Sequence, residues 1–200
     1  MNTRNTQLYT RLNQRAFKHQ KLDKVTVHGR FQPPLHINHW NYIFPAFEIA
    51  KKVIVLITNP DLDETDVEET NHRNKKESNP FTYGQRVKIF KSFFEKTGIV
   101  KSRYQFRPFN ITSEKSWAKV LDKDVPNLVN TYGPWSRAKL KKFQDLGYQV
   151  IHSSKNKAID ISGTKIRKIL NLPLSPQQKK AKLIAAGFMP EATEGLFRVL

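Results

Sequence analysis

Short apolar runs rich in β-branched residues alternate with helical segments along most of the sequence. Residues 25–28 and 53–58 have the length and composition of buried strands, and a helix is predicted between them. Two parallel strands need such a crossover, so this stretch predicts a βαβ unit. Because the alternation continues to residue 152, we predict a doubly wound α/β fold, with a parallel sheet covered by helices.

A chain of 200 residues fits one domain. We expect three parts: a helical extension over residues 1–24, an α/β core over 25–172 and a small helical cap over 173–200. In the cap, Pro176 and Pro190 are placed to start helices and Gly187 to end the first one. Further core elements are predicted as helices at 84–96 and 136–146 and as strands at 104–109, 128–132 and 148–152.

Two segments interrupt this regular pattern. Residues 61–79 are polar, charged and aperiodic, which predicts a mobile surface loop whose acidic part is solvated and holds no metal. Pro45 falls inside the first predicted helix, and we expect it to kink or shorten that helix because proline removes a backbone donor.

The composition limits the chemistry and the partners. Zero cysteines exclude disulfides, thiolate metal sites and cysteine nucleophiles, and the absence of a long apolar run predicts a cytoplasmic protein with no membrane partner. The net charge of +18 favours polyanionic partners. The basic residues are spread along the chain with no nucleic-acid motif, so nucleic acid is not expected as the main partner. A noncatalytic nucleic-acid-binding protein remains one alternative, and a homo-oligomer is left open.

The segment after the first predicted strand has the features of a phosphate site. Gly29 allows close backbone approach, and the start of the following helix offers unpaired amides and a positive dipole end. His36 and His39 lie three residues apart and share a face of the first turn, where two imidazoles can donate hydrogen bonds to phosphate. A histidine pair also arises without catalytic meaning, and no third ligand for a metal can be identified.

A second candidate segment lies at residues 161–167. Ser162 is a natural N-cap for the helix that follows it, and Arg167 has the side chain that binds phosphate with two hydrogen bonds. In isolation, helix capping accounts for the serine equally well.

The two segments together resemble the signatures of one family. The order Gly-Arg-Phe-Gln-Pro followed by His-x-x-His resembles the first signature of the nucleotidyltransferase superfamily, particularly of archaeal-type nicotinamide mononucleotide adenylyltransferases, and Ile-Ser-Gly-Thr-x-Ile-Arg resembles the second. The resemblance implies a Rossmann-like fold. It assigns catalytic roles to His36, His39 and Arg167 and nucleotide binding to Gly29, Arg30, Phe31, Ser162, Gly163 and Thr164.

Four further residues are candidates for binding the acceptor or the base. Asn38 stands where the family has glycine, and Arg86 closes a stretch similar to the family's Asn-Pro-Phe-Thr-x-Gly-Glu-Arg, with glutamine in place of glutamate at position 85. Trp117 falls where the family has an aromatic residue near nicotinamide, although packing accounts for it equally well. Tyr132 lies at a predicted strand end.

These features predict transfer of a nucleoside monophosphate from ATP or CTP to a small phosphate or phosphonate acceptor, with release of pyrophosphate. The motif spelling favours an adenylyltransferase that acts on nicotinamide mononucleotide. A cytidylyltransferase that activates a phosphonate is the alternative, motivated by Asn38 and the 61–79 loop. We expect Mg²⁺ to be bound mainly through the triphosphate, because Mg²⁺ keeps several waters and often binds through substrate phosphates.

Overall fold

A parallel β-sheet forms the centre of the computed structural model, which describes residues 22–33, 35–58, 76–131, 134–153 and 161–200. Its strands are Leu22–Gly29 (β1), Ala50–Thr58 (β2), Tyr104–Phe109 (β3), Asn127–Val129 (β4) and Val150–His152 (β5). The strands lie in the order β3-β2-β1-β4-β5, and every neighbouring pair is parallel. The predicted Rossmann-like α/β fold is therefore confirmed.

Helices follow the strands and fill both faces of the sheet. They are Ile37–Ile49 (α1), Tyr83–Lys96 (α2), Glu114–Val120 (α3), Pro134–Asp145 (α4), Gly163–Leu170 (α5), Pro176–Ala185 (α6) and Pro190–Phe197 (α7), with short 3₁₀ turns at Lys76–Ser78 and Lys101–Arg103. Two of the starts are capping boxes: Thr82 and Gln85 exchange hydrogen bonds at α2, and Ser175 and Gln178 do so at α6. None of the helices in the described parts of the chain is long and apolar enough to cross a membrane.

The alternation of side chains along β2 divides the core into two layers. Val53, Val55 and Ile57 belong to the first layer, which packs under α1, α2 and the cap helices. Ile54 and Leu56 belong to the second layer, an aromatic cluster under α3 and α4. The second layer contains Ile54, Leu56, Phe109, Trp117, Leu121, Phe143 and Tyr148.

Several boundaries differ from the sequence prediction. Strand β1 starts at Leu22 and so includes residues that we placed in the extension, and β4 and β5 have three residues each. Helix α3 was not predicted, because its seven residues are too few for a clear helical period. The predicted extension over 1–21 and most of the 61–79 loop lie outside the described residues.

Helix α1 also corrects the prediction for Pro45. The helix is not shortened there but continues to Ile49, where β2 follows directly. Ile43, Ala46 and Phe47 are buried on either side of the proline, and this packing against the sheet stabilises a helix that lacks one backbone donor.

The cap is joined to the loop before α1 by a short stretch that we call the strap, residues 187–189. The amide of Met189 donates to Leu35 O at 3.0 Å, and the amide of Ile37 donates to Gly187 O at 2.9 Å. His36 and Phe188 thereby form an isolated antiparallel bridge. The strap therefore fixes the backbone on both sides of His36.

Candidate active site

The strand order reverses direction between β1 and β4, which in an open α/β sheet creates a crevice at the carboxyl ends of the strands. A cleft of about 250 Å³ lies at this point. It is lined by His28, Gly29, Arg30, Phe31, Gln32, His39, Thr58, Ile111, Lys139 and Gly163. Six of these positions were predicted or lie inside the predicted motifs, and His28, Thr58, Ile111 and Lys139 were not.

The cleft has two halves that follow the two faces of the sheet. Gly29, Arg30, Phe31, Gln32, His39 and Gly163 form the motif half, and the ring of Phe31 belongs to the first core layer. His28, Thr58, Ile111 and Lys139 form the lysine half, on the side of the second core layer.

The loop after β1 is held by close contacts around Gly29. The ring of Phe31 folds back so that a Cβ at residue 29 would lie 2.7 Å from its Cζ atom, which excludes any side chain there. Phe31 itself has a φ of 50° and Leu35 a φ of 72°, conformations that cost a non-glycine residue of order 1–3 kcal/mol. Burial of both side chains and the strap stabilise this backbone.

The two predicted histidines lie against each other at the start of α1. Their rings stack with centroids 3.6 Å apart, and both are buried. His39 Nδ1 accepts a hydrogen bond from the amide of Leu35 at 3.2 Å, so a neutral His39 ring carries its proton on Nε2. His39 lines the cleft and thus offers it a donor, whereas His36 Nδ1 has no hydrogen-bond partner among the described residues.

Both histidines are neutral at physiological pH. Burial lowers the pKa of His36 from 6.5 to about 4. Burial, reinforced by the charges of His36 and Arg30, holds the pKa of His39 well below its ordinary value. The pair therefore supplies hydrogen bonds to an anion, and positive charge at the cleft must come from other residues.

The start of α5 lies against the same loop. Ser162 Oγ accepts from the amide of Lys165 at 3.3 Å, as predicted for an N-cap. A Cβ at Gly163 would lie only 2.3 Å from Gln32 O, so the helix can approach the loop only because residue 163 is glycine. Arg167 Nη1 donates to Gln32 O at 2.7 Å and Nη2 donates to Thr164 Oγ1 at 3.1 Å. The fold thus brings together two segments about 130 residues apart.

The lysine half contains a contact that the sequence did not reveal. Lys139 Nζ, on α4, lies 3.2 Å from His28 Nδ1, at the end of β1. The His28 ring is buried and stacks on Phe143 with centroids 4.9 Å apart and planes inclined by 10°. Its position before Gly29 was the available signal, because alternation along the strand places it opposite Val27.

The lining suits an anion. Arg30 and Lys139 carry positive charge into the cleft, and no aspartate or glutamate is among its described lining residues. Nor do the described ranges contain a group of three or more histidine or carboxylate side chains that could hold a metal ion. A divalent cation would therefore have to depend on oxygen ligands supplied by a substrate.

The remaining predicted residues lie away from the cleft lining. Asn38 Nδ2 donates to Ile161 O at 3.3 Å and so joins the two motif segments. Arg86 is completely buried, and its Nη1 donates to Arg30 O at 2.7 Å and to Thr58 O at 2.9 Å. Trp117 is 1% exposed within the second core layer, and Tyr132 lies outside the described residues. Their roles in acceptor or base binding stay predictions.

One curated relative is similar over most of the sequence. The phosphonoformate cytidylyltransferase of Streptomyces viridochromogenes is 32% identical over 143 residues, which are 71% of this chain and 77% of that protein. No model of a known protein family matches the chain.

Two solved structures share the fold. Both are of a bifunctional NMN adenylyltransferase/ADP ribose pyrophosphatase from Francisella tularensis, and one contains AMP and a manganese ion. They superpose with TM-scores of 0.53 and 0.52 at 22% identity over 78% of this chain. The chain spans only 44% and 43% of the length of those proteins.

Proposed function

This chain belongs to the nucleotidyltransferase superfamily, and we propose that it transfers CMP from CTP to a small phosphonate or phosphate acceptor with release of pyrophosphate. The observation that carries the proposal is the cleft at the switch point, which combines cationic side chains, neutral imidazole donors and close backbone approach with no lining carboxylate. Such a lining favours a substrate with several negative charges on adjacent groups.

CTP is preferred over ATP in this proposal for two reasons. The relative that is similar in sequence is named as a cytidylyltransferase, whereas the likeness to the adenylyltransferase structures extends to the fold. In addition, Trp117, which the motif resemblance places near nicotinamide, is buried in the second core layer. Because the chain belongs to a family of enzymes, we do not propose the noncatalytic nucleic-acid-binding alternative.

The proposed chemistry is a direct displacement at the α-phosphorus. An ionised acceptor oxygen forms a bond to that phosphorus, the bond to the bridging oxygen of the β-phosphate breaks, and pyrophosphate leaves with the electron pair. The acceptor oxygen carries no proton to remove, so no general base is required. The protein contributes by orienting the two substrates and by stabilising the charge that moves to the leaving group.

The residues of the motif half have distinct roles in this step. His39 donates a hydrogen bond from Nε2, because its Nδ1 is occupied by the Leu35 amide. Arg30 and Arg167 supply positive charge next to the loop after β1, with Arg167 held by Gln32 O. His36 supports His39 through their stacked rings.

Magnesium enters this proposal as part of the nucleotide substrate. The described cleft residues include no carboxylate, and Mg²⁺ that lacks protein ligands is commonly carried by substrate phosphates. A Mg²⁺–CTP complex would lower the charge on the triphosphate before it reaches the cleft.

The experiment is an assay of pyrophosphate release with Mg²⁺, in which CTP and ATP are each combined with phosphonoformate, simple phosphate esters and nicotinamide mononucleotide. We expect release with CTP and a phosphonate or phosphate, and none from a His39→Asn variant purified in parallel. Release with ATP and nicotinamide mononucleotide would instead establish dinucleotide synthesis. If neither nucleotide reacts with any acceptor, the proposal fails.

A further inference from the structure

Lys139 places a positive charge in the lysine half of the cleft, and it is held there by an unusual partner. Its ammonium group lies 3.2 Å from His28 Nδ1, and both residues line the cleft. An ammonium group is only a donor, so Nδ1 must accept, and a neutral His28 ring then carries its proton on Nε2. That Nε2 is buried and has no hydrogen-bond partner among the described residues.

The surroundings of His28 keep its ring neutral and fixed. Burial, together with the charge of Lys139, holds the pKa of His28 well below its ordinary value. The ring stacks on Phe143, and its backbone amide donates to Tyr42 Oη at 3.2 Å. A neutral imidazole fixes the direction of the ammonium group and leaves its charge unneutralised.

We propose that Lys139 binds the anionic group of the acceptor substrate, and that His28 is the positioning residue that holds the Lys139 ammonium in the cleft. The ligand is a small phosphonate or phosphate, and a carboxylate on the same molecule would strengthen its attraction to the lysine. This inference rests on the proposed transfer reaction.

In-line displacement decides which substrate occupies the lysine half. The attacking and leaving oxygens lie on opposite sides of the phosphorus during phosphoryl and nucleotidyl transfer. The triphosphate is assigned to the motif half, where His39, Gly163 and Arg30 meet. The acceptor must then approach from the other side of the α-phosphorus, which is the side of His28 and Lys139.

The first test replaces Lys139 with glutamine, which keeps much of the length and removes the charge. Loss of a charge-assisted hydrogen bond should raise the KM for the acceptor by about 10- to 100-fold, with the KM for CTP changed by less than about 3-fold. Lys141→Gln is the matched control, because Lys141 lies on the same helix, is exposed and pairs with Asp145. The control should behave as the wild type.

The second test separates positioning by His28 from packing. His28→Phe keeps a ring on Phe143 but removes the acceptor atom, whereas His28→Asn offers an oxygen near the position of Nδ1. We expect the acceptor KM to rise in His28→Phe and to be largely restored in His28→Asn. Equal acceptor KM values for the two variants would overturn the positioning role.

Equilibrium titration makes the inference independent of turnover. Calorimetric titration with phosphonoformate should give binding by the wild type and Lys141→Gln, and about 10-fold or weaker binding by Lys139→Gln. If CTP and phosphonoformate weaken equally, or neither weakens, Lys139 is not an acceptor residue. Absence of phosphonoformate binding by the wild type also overturns the inference, whereas binding without pyrophosphate release contradicts only the transfer reaction.

Discussion

The two halves of the cleft achieve anion binding by different means. The motif half consists of a loop and a helix start, in which glycines permit backbone contacts and buried imidazoles donate hydrogen bonds. The lysine half consists of a strand end and the middle of a helix, which bring one ammonium group against one imidazole over an aromatic cluster. The comparison shows that neighbouring surfaces of one cleft can differ in whether charge or hydrogen-bond geometry is fixed first.

The largest effect should come from removing the donor in the motif half. His39→Asn can still accept the Leu35 amide but loses the Nε2 proton, so the loop is retained while the transition state loses a hydrogen bond. We expect kcat to fall by about 100- to 1000-fold, the cost of one missing oxyanion donor. Pyrophosphate release at saturating substrates measures it, and a kcat within about 3-fold of wild type would contradict the assigned donor.

The next effect concerns the close approach of α5 to the loop. In Gly163→Ala the new methyl group would meet Gln32 O at 2.3 Å, so the helix carrying Arg167 must move. A displacement of this kind should lower kcat/KM by about 100-fold. Gly84→Ala is the matched control, since nothing lies within 4 Å of its Cβ position in α2. Equal activity of the two variants would show that the approach is not required.

Arg86 lies beneath both halves, because it ties the carboxyl ends of β1 and β2 together. Arg86→Met leaves the carbonyls of Arg30 and Thr58 without this donor, and we expect the free energy of unfolding to fall by about 2–3 kcal/mol. Urea denaturation measures the change. An unchanged stability combined with a raised acceptor KM would instead support the predicted binding role of Arg86.

The smallest effect is the pH dependence of the motif half. The folded-state pKa of His36 is about 4, below its ordinary value of 6.5, so between these values the unfolded chain binds more protons. The stability from a neutral His36 is fully present above pH 6.5 and is lost as the pH falls toward 4. We expect His36 to account for a loss of about 2 kcal/mol between pH 7 and pH 5.

Urea denaturation of the wild type and His36→Asn at pH 7 and pH 5 measures that contribution. The variant should lose less stability over this interval, because asparagine does not titrate there. An identical loss in both proteins would show that protonation of His36 does not contribute.

The two halves also differ in how far the sequence predicts them. The motif half was predicted because its residues lie within short segments at the starts of helices, where glycine, N-cap serine and spaced histidines have recognisable physical roles. His28 looked like an ordinary strand residue, and Lys139 could not be distinguished from Lys141 and Lys142 on a lysine-rich helix. Their contact depends on how β1 and α4 pack, which no local pattern encodes.

The fold shows the same division between local and long-range information. β1, β2 and β3 were predicted because long apolar runs mark strands that are buried on both faces. β4 and β5 were predicted too long, since pairing with neighbouring strands, rather than composition, ends them after three residues each. The continuation of α1 through Pro45 is likewise a result of tertiary packing.

The strap gives the cleft a place in the order of biosynthesis. Residues 35–37 are synthesised about 150 residues before the strap that hydrogen-bonds to them, which at 5–20 residues per second is a delay on the order of 10–30 s. During that time the sheet strands can pair, but the loop bearing His36 lacks its backbone partners. The nascent chain therefore completes its catalytic loop only after the cap has been translated, and a ribosome that stalls before residue 187 carries a core without a finished phosphate site.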